Sequence, residues 1–192
     1  MISFVVITDN QEPDKLANAI DSIRAQHVPG AELFVIEDRR RSGKLGLLRN
    51  TGCRKADNPI LVVMDDDIYL HDGWFEGLKA AGDDWDILAC KILNPDGTRY
   101  WDWKINVGGL NELMDYDQIS PHVSLTGGLT IMKRYVFEKV QWDETKGFYQ
   151  AEDVDWTNRA KAAGFRIAFN PHCTVTHDGP YTQAQKWVVR TE

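Results

Sequence analysis

Apolar runs and helical periodicities alternate along the first third of the chain. Residues 2–8 are almost wholly apolar and predict a strand, and leucine, alanine and isoleucine then recur at helical spacing after Pro13. The predicted elements are, in order, a strand at 2–8, a helix at 13–26, a strand at 32–36, a helix at 43–56 and a strand at 61–64. This β-α-β-α-β order predicts parallel strands joined by right-handed crossovers, and therefore an α/β domain.

The third of these strands runs directly into three carboxylates. Four apolar residues, Leu61-Val62-Val63-Met64, precede Asp65-Asp66-Asp67, and an apolar run of this length predicts a buried strand of a parallel sheet. Its carboxylates then emerge at the carboxyl end of the strand, where open α/β sheets bind their ligands. Three adjacent acids repel one another, so a bound cation is one reason for their presence. An acidic turn without a ligand is the alternative.

The remaining two thirds of the chain predict a less regular series of elements. These are a helix at 73–81, a strand at 85–93, a strand-like aromatic segment at 99–104, a loop at 108–121, a strand with two internal glycines at 125–132, a helix at 133–140, a helix at 152–163 and two β segments at 166–170 and 174–177. The length of the loop suggests a lid. Trp101 and Trp103 of the aromatic segment are candidates either for the hydrophobic core or for a platform that stacks on a sugar.

Composition narrows the class of protein. The 192 residues suffice for one domain with a sizeable core, and 22 basic against 29 acidic residues give a net charge of −7, which argues against strong nucleic-acid binding. No apolar run approaches the roughly 20 residues that cross a bilayer, and residues 1–8 lack the basic start and cleavage site of a signal peptide. Cys53, Cys90 and Cys173 are widely spaced and odd in number, as expected for reduced thiols. We therefore expect a cytoplasmic protein.

A basic cluster precedes the acidic strand, and within it Ser42-Gly43-Lys44 suggests a P-loop. A P-loop also needs a glycine five positions before the Gly-Lys pair and a serine or threonine after it, but Asp38 and Leu45 occupy those positions. A solvated loop accounts for Arg39-Arg40-Arg41. Arg49 differs because its predicted helix leads to the acidic strand, where a guanidinium is placed to contact a diphosphate or a base edge.

Together these motifs resemble those of the family 2 glycosyltransferases, enzymes of the GT-A fold. The resemblance covers residues 3–177 and rests on the order and spacing of short motifs. These are Val5-Val6-Ile7-Thr8-Asp9-Asn10, Val35-Ile36-Glu37-Asp38, Arg49-Asn50-Thr51-Gly52, Met64-Asp65-Asp66-Asp67, Thr126-Gly127-Gly128, Phe137-Glu138-Lys139-Val140 and Glu152-Asp153-Val154-Asp155, followed by Arg159, Ala163-Gly164-Phe165-Arg166-Ile167, Asn170-Pro171 and His177. It implies a single GT-A domain over 1–192, with a Rossmann-like, mixed but mainly parallel sheet flanked by helices. Residues 1–104 would form its nucleotide-sugar-binding half and 105–192 its acceptor-binding and catalytic half.

The resemblance also implies roles for individual residues. On the donor side, Thr8 and Asp38 would line the nucleoside pocket, Arg49 would hold the base or the diphosphate, Asp65 would face the ribose, and Asp66, Gly127 and Gly128 would complete the nucleotide-sugar site. Asp67 and His177 would bind a divalent metal, Mn²⁺ or Mg²⁺. Asp153 would be the general base, and Glu152 would orient it or the acceptor. Two departures concern base recognition: relatives often have a proline before the threonine, where this chain has Ile7, and Glu37 replaces a common aspartate.

The implied reaction is inverting transfer of a sugar from a nucleotide-diphosphate donor, by resemblance a UDP-sugar, to a hydroxyl acceptor that the sequence does not identify. One alternative is a nucleotidyltransferase, but such enzymes have a glycine- and lysine-rich loop after the first strand, and Asp9-Asn10-Gln11-Glu12 is acidic and lacks glycine. A second alternative is a nucleotide-sugar-binding module without catalysis. Both carboxylate motifs and His177 are present, which favours an enzyme.

Overall fold

We describe the protein from a computed structural model, which covers residues 1–147 and 150–179. The strands are β1 (Ile2–Thr8), β2 (Glu32–Glu37), β3 (Ile60–Asp65), β4 (Ile68–Leu70), β5 (Ile87–Leu93), β6 (Lys104–Val107), β7 (Leu110–Leu113), β8 (Val123–Ser124), β9 (Leu129–Lys133) and β10 (Ile167–His177). The helices are α1 (Pro13–Arg24), α2 (Leu45–Lys55), α3 (Trp74–Ala80), α4 (Arg134–Lys139) and α5 (Glu152–Ala162). The carboxyl-terminal boundary predicted for the domain, residue 192, lies outside the described residues.

The first three strands form the parallel unit that the sequence predicts. β1 lies between β2 and β3 and is parallel to both. Val5 and Ile7 pack into one core cluster together with residues of α2, whereas Phe4 and Val6 pack into a second cluster together with residues of α1. Because both faces of β1 are buried, the strand is apolar at nearly every position instead of alternating. The predicted β-α-β-α-β order is confirmed.

The rest of the main sheet is mixed. Its seven strands lie in the order β2-β1-β3-β9-β5-β10-β4, and β9 runs antiparallel to both β3 and β5. β10 is parallel to β5 and antiparallel to the short edge strand β4. The predicted α/β class with a mixed sheet is confirmed. The β10–β4 pairing brings the chain near residue 177 back to the acidic end of β3.

Three local predictions need correction. The segment 99–104 is mostly irregular, with one bridge from Leu93 to Arg99, and the predicted loop at 108–121 contains β7, which forms a hairpin with β6. This hairpin and β8 make a second, three-stranded sheet in the order β7-β6-β8. The two predicted C-terminal β segments are one strand, β10, with an irregularity between Asn170 and Thr174. The Asn170 side chain holds that irregularity by donating to the Gly77 carbonyl at 2.9 Å.

Burial also separates the two tryptophans of the aromatic segment. Trp103 is buried, its ring centroid lies 5.5 Å from that of Phe169, and its indole N–H donates to the Gln118 carbonyl at 3.0 Å. It therefore belongs to the core, whereas Trp101 is half-buried. The three cysteines are free and buried, and among the described helices none is long and apolar enough to cross a membrane.

Candidate active site at the carboxyl ends of β1 and β3

The polar residues that follow β1 and β3 meet at one edge of the sheet. The two strands are parallel and in register, with Ile7 opposite Asp65, so their carboxyl ends lie side by side. A cleft of about 170 Å³ opens there. Its lining consists of Ile7, Thr8, Asp9, Glu12, Asp38, Leu45, Leu48, Asp65, Asp66 and Asp67. Five of the predicted site residues, distant in sequence, therefore share one cleft.

One wall of the cleft is held by hydrogen bonds between β1, β2 and the acidic turn. The Thr8 hydroxyl donates to the carboxylate of Asp66 and accepts the Asn10 backbone N–H at 2.8 Å. Asp38 donates its backbone N–H to the Thr8 carbonyl at 2.8 Å, and its carboxylate accepts the Gly43 N–H at 2.7 Å. Burial acts to raise the pKa of Asp38, but hydrogen bonds from backbone N–H groups outweigh it and the pKa is lowered. Asp38 is therefore an ionised acceptor at the cleft.

Arg49 lies behind the cleft in the protein interior. Only 1% of its side chain is exposed, and its guanidinium donates to Glu152 Oε1 at 2.7 Å, to the Gly127 carbonyl at 2.9 Å and to Asp65 Oδ1 at 3.3 Å. A buried arginine requires such compensation, because an unpaired charge in the interior is strongly unfavourable. Arg49 thus positions two of the predicted site carboxylates, and its direct contact with a base or diphosphate stays a prediction.

Asp67 and His177 meet at the edge of the cleft. His177 ends β10 opposite Ile68 of β4, which places its Nε2 atom 3.5 Å from Asp67 Oδ2. The Asp178 backbone N–H donates to the Asp67 carbonyl at 2.8 Å and ties the two segments together. Gly179 is required beside them, because a Cβ at this position would lie 2.2 Å from His177 Cε1.

The donor set of this pair fits a divalent cation. Within the described ranges, Asp67 Oδ1 is buried and has no hydrogen-bond partner. A carboxylate oxygen and an imidazole nitrogen suit Mn²⁺ and, less well, Mg²⁺. No group of three or more His, Cys, Asp or Glu side chains with metal-binding geometry occurs in residues 1–147 and 150–179. A cation bound by Asp67 and His177 would therefore complete its coordination with water or with oxygens of a bound ligand.

Electrostatics at the cleft favour a bound cation. Burial raises the pKa of both Asp65 and Asp67 to about 6, and a neighbouring carboxylate adds to the effect in each case. Burial lowers the pKa of His177, which leaves the imidazole neutral and able to act as a ligand. A cation beside Asp67 would relieve the carboxylate repulsion.

The predicted catalytic acids begin α5. Ala151 precedes the helix in a left-handed conformation, with φ 52°. Glu152 and Asp153 follow it in the first turn and have different surroundings. Glu152 is buried against Arg49, whereas Asp153 is half-buried and accepts the Val154 N–H at 2.8 Å. Gly127 lies against both acids, since a Cβ there would lie 3.0 Å from Glu152 Oε1 and 3.5 Å from Asp153 Cβ. The carboxylate of Glu152 is therefore buried and bonded to Arg49, whereas that of Asp153 is partly exposed to solvent.

The glycines of the predicted strand at 125–132 lie in the turn between β8 and β9. Glu152 and Arg49 pack directly on Gly127 and leave little room for a side chain. This packing alone explains why a glycine occupies the position. Gly128 lies against His177 and Asp65, and a Cβ there would make ordinary contacts with them at 3.7 Å and 3.8 Å. Its carbonyl accepts the Asp65 backbone N–H at 3.0 Å.

Three residues at the site were not singled out from the sequence. The Tyr100 ring stacks on the imidazole of His177 with centroids 4.2 Å apart, and Lys15 of α1 donates to the Asp178 carbonyl at 2.7 Å. Lys104, at the start of β6, places its ammonium 3.8 Å from Asp153 Oδ2. Tyr100 and Lys104 belong to the aromatic segment at 99–104, and no local pattern distinguishes them from core or surface residues.

Comparisons with known proteins identify the family and the fold of the chain. A family model described as "Glycosyltransferase like family 2" matches residues 2–190. A comparison with curated protein sequences found no match. Among solved structures, the chain is similar to GalNAc-T7, whose structure contains UDP, GalNAc and Mn²⁺, with a TM-score of 0.71 and 16% identity over 95% of this chain and 44% of that one.

Two further structures share the fold. The mannosyltransferase PcManGT from Pyrobaculum calidifontis, in complex with GDP-Man and Mn²⁺, has a TM-score of 0.64 and 16% identity over 98% of this chain and 60% of that one. S. aureus TarS, residues 1–349, has a TM-score of 0.62 and 18% identity over 90% of this chain and 59% of that one. The chain thus spans less than two thirds of each structure that it matches here.

Proposed function

The chain belongs to the glycosyltransferase-like family 2, and from this membership we propose that it transfers a sugar from a nucleotide-diphosphate donor to an acceptor hydroxyl. The observation that carries the proposal is the meeting of Asp67 and His177, at 3.5 Å, beside a cleft that also contains Asp38 and Asp65. The cleft proposed for the nucleotide and the pair proposed for the cation are thereby adjacent, as the chemistry of a nucleotide-sugar donor requires. Membership and cleft together favour an enzyme over a binding module.

The cleft would hold the nucleoside of the donor. Asp38, Thr8 and Asp65 all line it, and Asp65 lies opposite Ile7 at the end of β3, which suits a contact with the ribose hydroxyls. Asp66 is tied to Thr8 and would shape the wall. GalNAc-T7 was determined with UDP and PcManGT with GDP-Man, so the fold accommodates more than one base. We propose a UDP-sugar on the motif resemblance.

Asp67 and His177 would hold the metal, and the imidazole favours Mn²⁺ over Mg²⁺. When bound, a divalent cation supplies Lewis-acid stabilisation of the negative charge that develops on the leaving diphosphate. The Oδ1 atom of Asp67, which has no hydrogen-bond partner among the residues described, is available for this role. Both GalNAc-T7 and PcManGT were determined with Mn²⁺, which supports the same choice here.

Asp153 would remove the proton from the acceptor hydroxyl. Its carboxylate is accessible, whereas that of Glu152 is held by Arg49 at 2.7 Å and would orient its neighbour or the acceptor. A positioned general base contributes about 10²–10⁴-fold in rate. Attack by the hydroxyl on the face opposite the leaving diphosphate inverts the anomeric centre, and we propose inversion. The three free, buried thiols support a cytoplasmic location.

A panel of nucleotide sugars tests the proposal without knowledge of the acceptor, because water can take the acceptor's place in slow hydrolysis. We expect Mn²⁺-dependent release of free sugar and nucleoside diphosphate from one donor, with a UDP-sugar the leading candidate. His177→Ala is expected to reduce this release, and Arg54→Met, distant from the cleft on the outer part of α2, is the control. Release of pyrophosphate from a nucleoside triphosphate would instead indicate a nucleotidyltransferase. Donor binding without turnover would indicate a binding module.

A further inference from the structure

Lys104 is a buried lysine that faces the proposed base. Only 5% of the residue is exposed, and its Nζ atom lies 3.8 Å from Asp153 Oδ2. Burial lowers the pKa of Lys104, and the Asp153 carboxylate opposes that effect. A lysine is rarely buried to this degree without a partner, so the contact with Asp153 accounts for a placement that is otherwise unfavourable.

The small sheet is what brings Lys104 to α5. Lys104 pairs with Ser124 of β8 and with Leu113 of β7, so β6 lies in the middle of the three strands. α5 packs on β8, and the Lys161 ammonium donates to the Val123 carbonyl at 2.7 Å. The position of Lys104 is therefore set by the packing of α5 on the small sheet.

Several charged or titratable groups surround Asp153. The Glu152 carboxylate precedes Asp153 in the first turn of α5. Arg49 on α2 and Asp153 both lie against Gly127, but two other carboxylates already engage the Arg49 guanidinium. Tyr100 adds a neutral phenol, since burial raises its pKa to about 12. Within residues 1–147 and 150–179, the Lys104 ammonium is the cation that forms a salt bridge with Asp153 itself.

We propose that Lys104 is a positioning residue for Asp153: its ammonium pairs with one carboxylate oxygen, so that the other remains available to a hydroxyl. The role of Lys104 in catalysis rests on the proposed function, in which Asp153 is the general base. The ion pair between the two residues does not depend on that function. An opposite charge within about 4–6 Å typically changes the midpoint of a carboxyl titration by about 1–3 pH units. Loss of the ammonium should therefore be measurable directly on Asp153.

The first experiment is an NMR titration of the ¹³C-labelled Asp153 carboxyl, assigned by its absence in Asp153→Asn. In Lys104→Met, which keeps the length of the side chain and removes the charge, we expect the midpoint to rise by about 1–3 pH units. Lys104→Arg should return it towards the parent value. Lys161→Met is the matched control. It also removes a lysine from the contact between α5 and the small sheet, but the ammonium of Lys161 binds backbone carbonyls and not Asp153. An unchanged midpoint in folded Lys104→Met would overturn the proposal.

The second experiment asks whether this ion pair serves turnover. At saturating donor and Mn²⁺, the low-pH limb of the rate of donor hydrolysis should move to higher pH in Lys104→Met by the same amount as the NMR midpoint, with donor affinity unchanged. If Lys104 were purely structural, Lys104→Met would lower thermal stability and leave the low-pH limb of the hydrolysis rate unchanged. That result would refute the positioning role. Failure of every donor to be hydrolysed by the parent protein would contradict the proposed function instead, and the NMR result would still decide the ion pair.

Discussion

Replacing Arg49 by methionine should destabilise the protein far more than the loss of an ordinary ion pair. Methionine fills much of the volume of the side chain but leaves Glu152 buried without its partner and leaves the Gly127 carbonyl without its 2.9 Å hydrogen bond. Asp65 suffers less, because 31% of its side chain is exposed and water can solvate it. Removing one partner of a buried pair costs about 3–5 kcal/mol. That is a large share of the roughly 5–15 kcal/mol by which domains are stable.

Urea denaturation followed by tryptophan fluorescence measures this loss. With a slope of about 2 kcal/mol per molar urea, a loss of about 3–5 kcal/mol lowers the midpoint by about 1.5–2.5 M. Arg54→Met on the same helix is the control, since Arg54 pairs with Glu144 while its own side chain is 47% exposed. A pair of that kind contributes only about 0–1 kcal/mol.

A second substitution separates the buried charge from simple packing. Glu152→Gln in the Arg49→Met background removes the unpaired carboxylate, so the double variant should be more stable than Arg49→Met alone, with a coupling of about 0.5–3 kcal/mol. If Arg49→Met and Arg54→Met lowered the midpoint equally, the burial and pairing described for Arg49 would be wrong. If the free energy of unfolding lost in the double variant equalled the sum of the losses in Arg49→Met and Glu152→Gln, the two residues would not be coupled.

Other predictions concern the cation, the base and the glycine turn. Asp67→Ala should abolish Mn²⁺-dependent nucleotide binding and His177→Ala should weaken it, as measured by calorimetry; parental affinity in both variants would refute the site. Because the pKa of Asp67 is raised to about 6, protons should compete with the cation, and Mn²⁺ affinity should fall as the pH is lowered through 6 and recover above it. Asp153→Asn should leave donor and metal affinity nearly unchanged and reduce turnover at least about a hundredfold. If Asp153 served only the helix dipole, the variant would instead lose about 0.3–1 kcal/mol of stability and turn over normally. Gly127→Ala should cost about 1–3 kcal/mol in thermal unfolding, because its Cβ would press on Glu152 Oε1 at 3.0 Å; an alanine variant as stable as the parent would contradict that packing.

Local sequence determined the elements of the parallel unit and the location of the cleft. A strand buried on both faces is apolar at nearly every position, so β1 and β3 are recognisable from residues 2–8 and 61–64 alone. Once they are parallel, the acids that follow β3 necessarily emerge beside the end of β1. The acidic turn and Thr8 therefore required no further information to be placed together.

Tertiary pairing decided which distant residues join that cleft. His177 is an ordinary residue at the end of a strand until the antiparallel β10–β4 contact sets it against Asp67. The same holds for Arg49. Its position on α2 is compatible both with binding a ligand and with burial in the interior. Its burial depends on Glu152, which lies on another helix far along the chain.

The second half of the chain shows most clearly why local pattern is insufficient. The aromatic segment before Lys104 has strand-like composition, but its backbone is mostly irregular, because Trp103 packs against Phe169 and Asp102 accepts the Trp103 N–H at 2.6 Å. Lys104 itself has no sequence signature, since an exposed lysine and one that faces a catalytic carboxylate look alike in the chain. Only the packing of the small sheet on α5 brings its ammonium to Asp153, because the energy of a buried charge is set by neighbours that are remote in sequence.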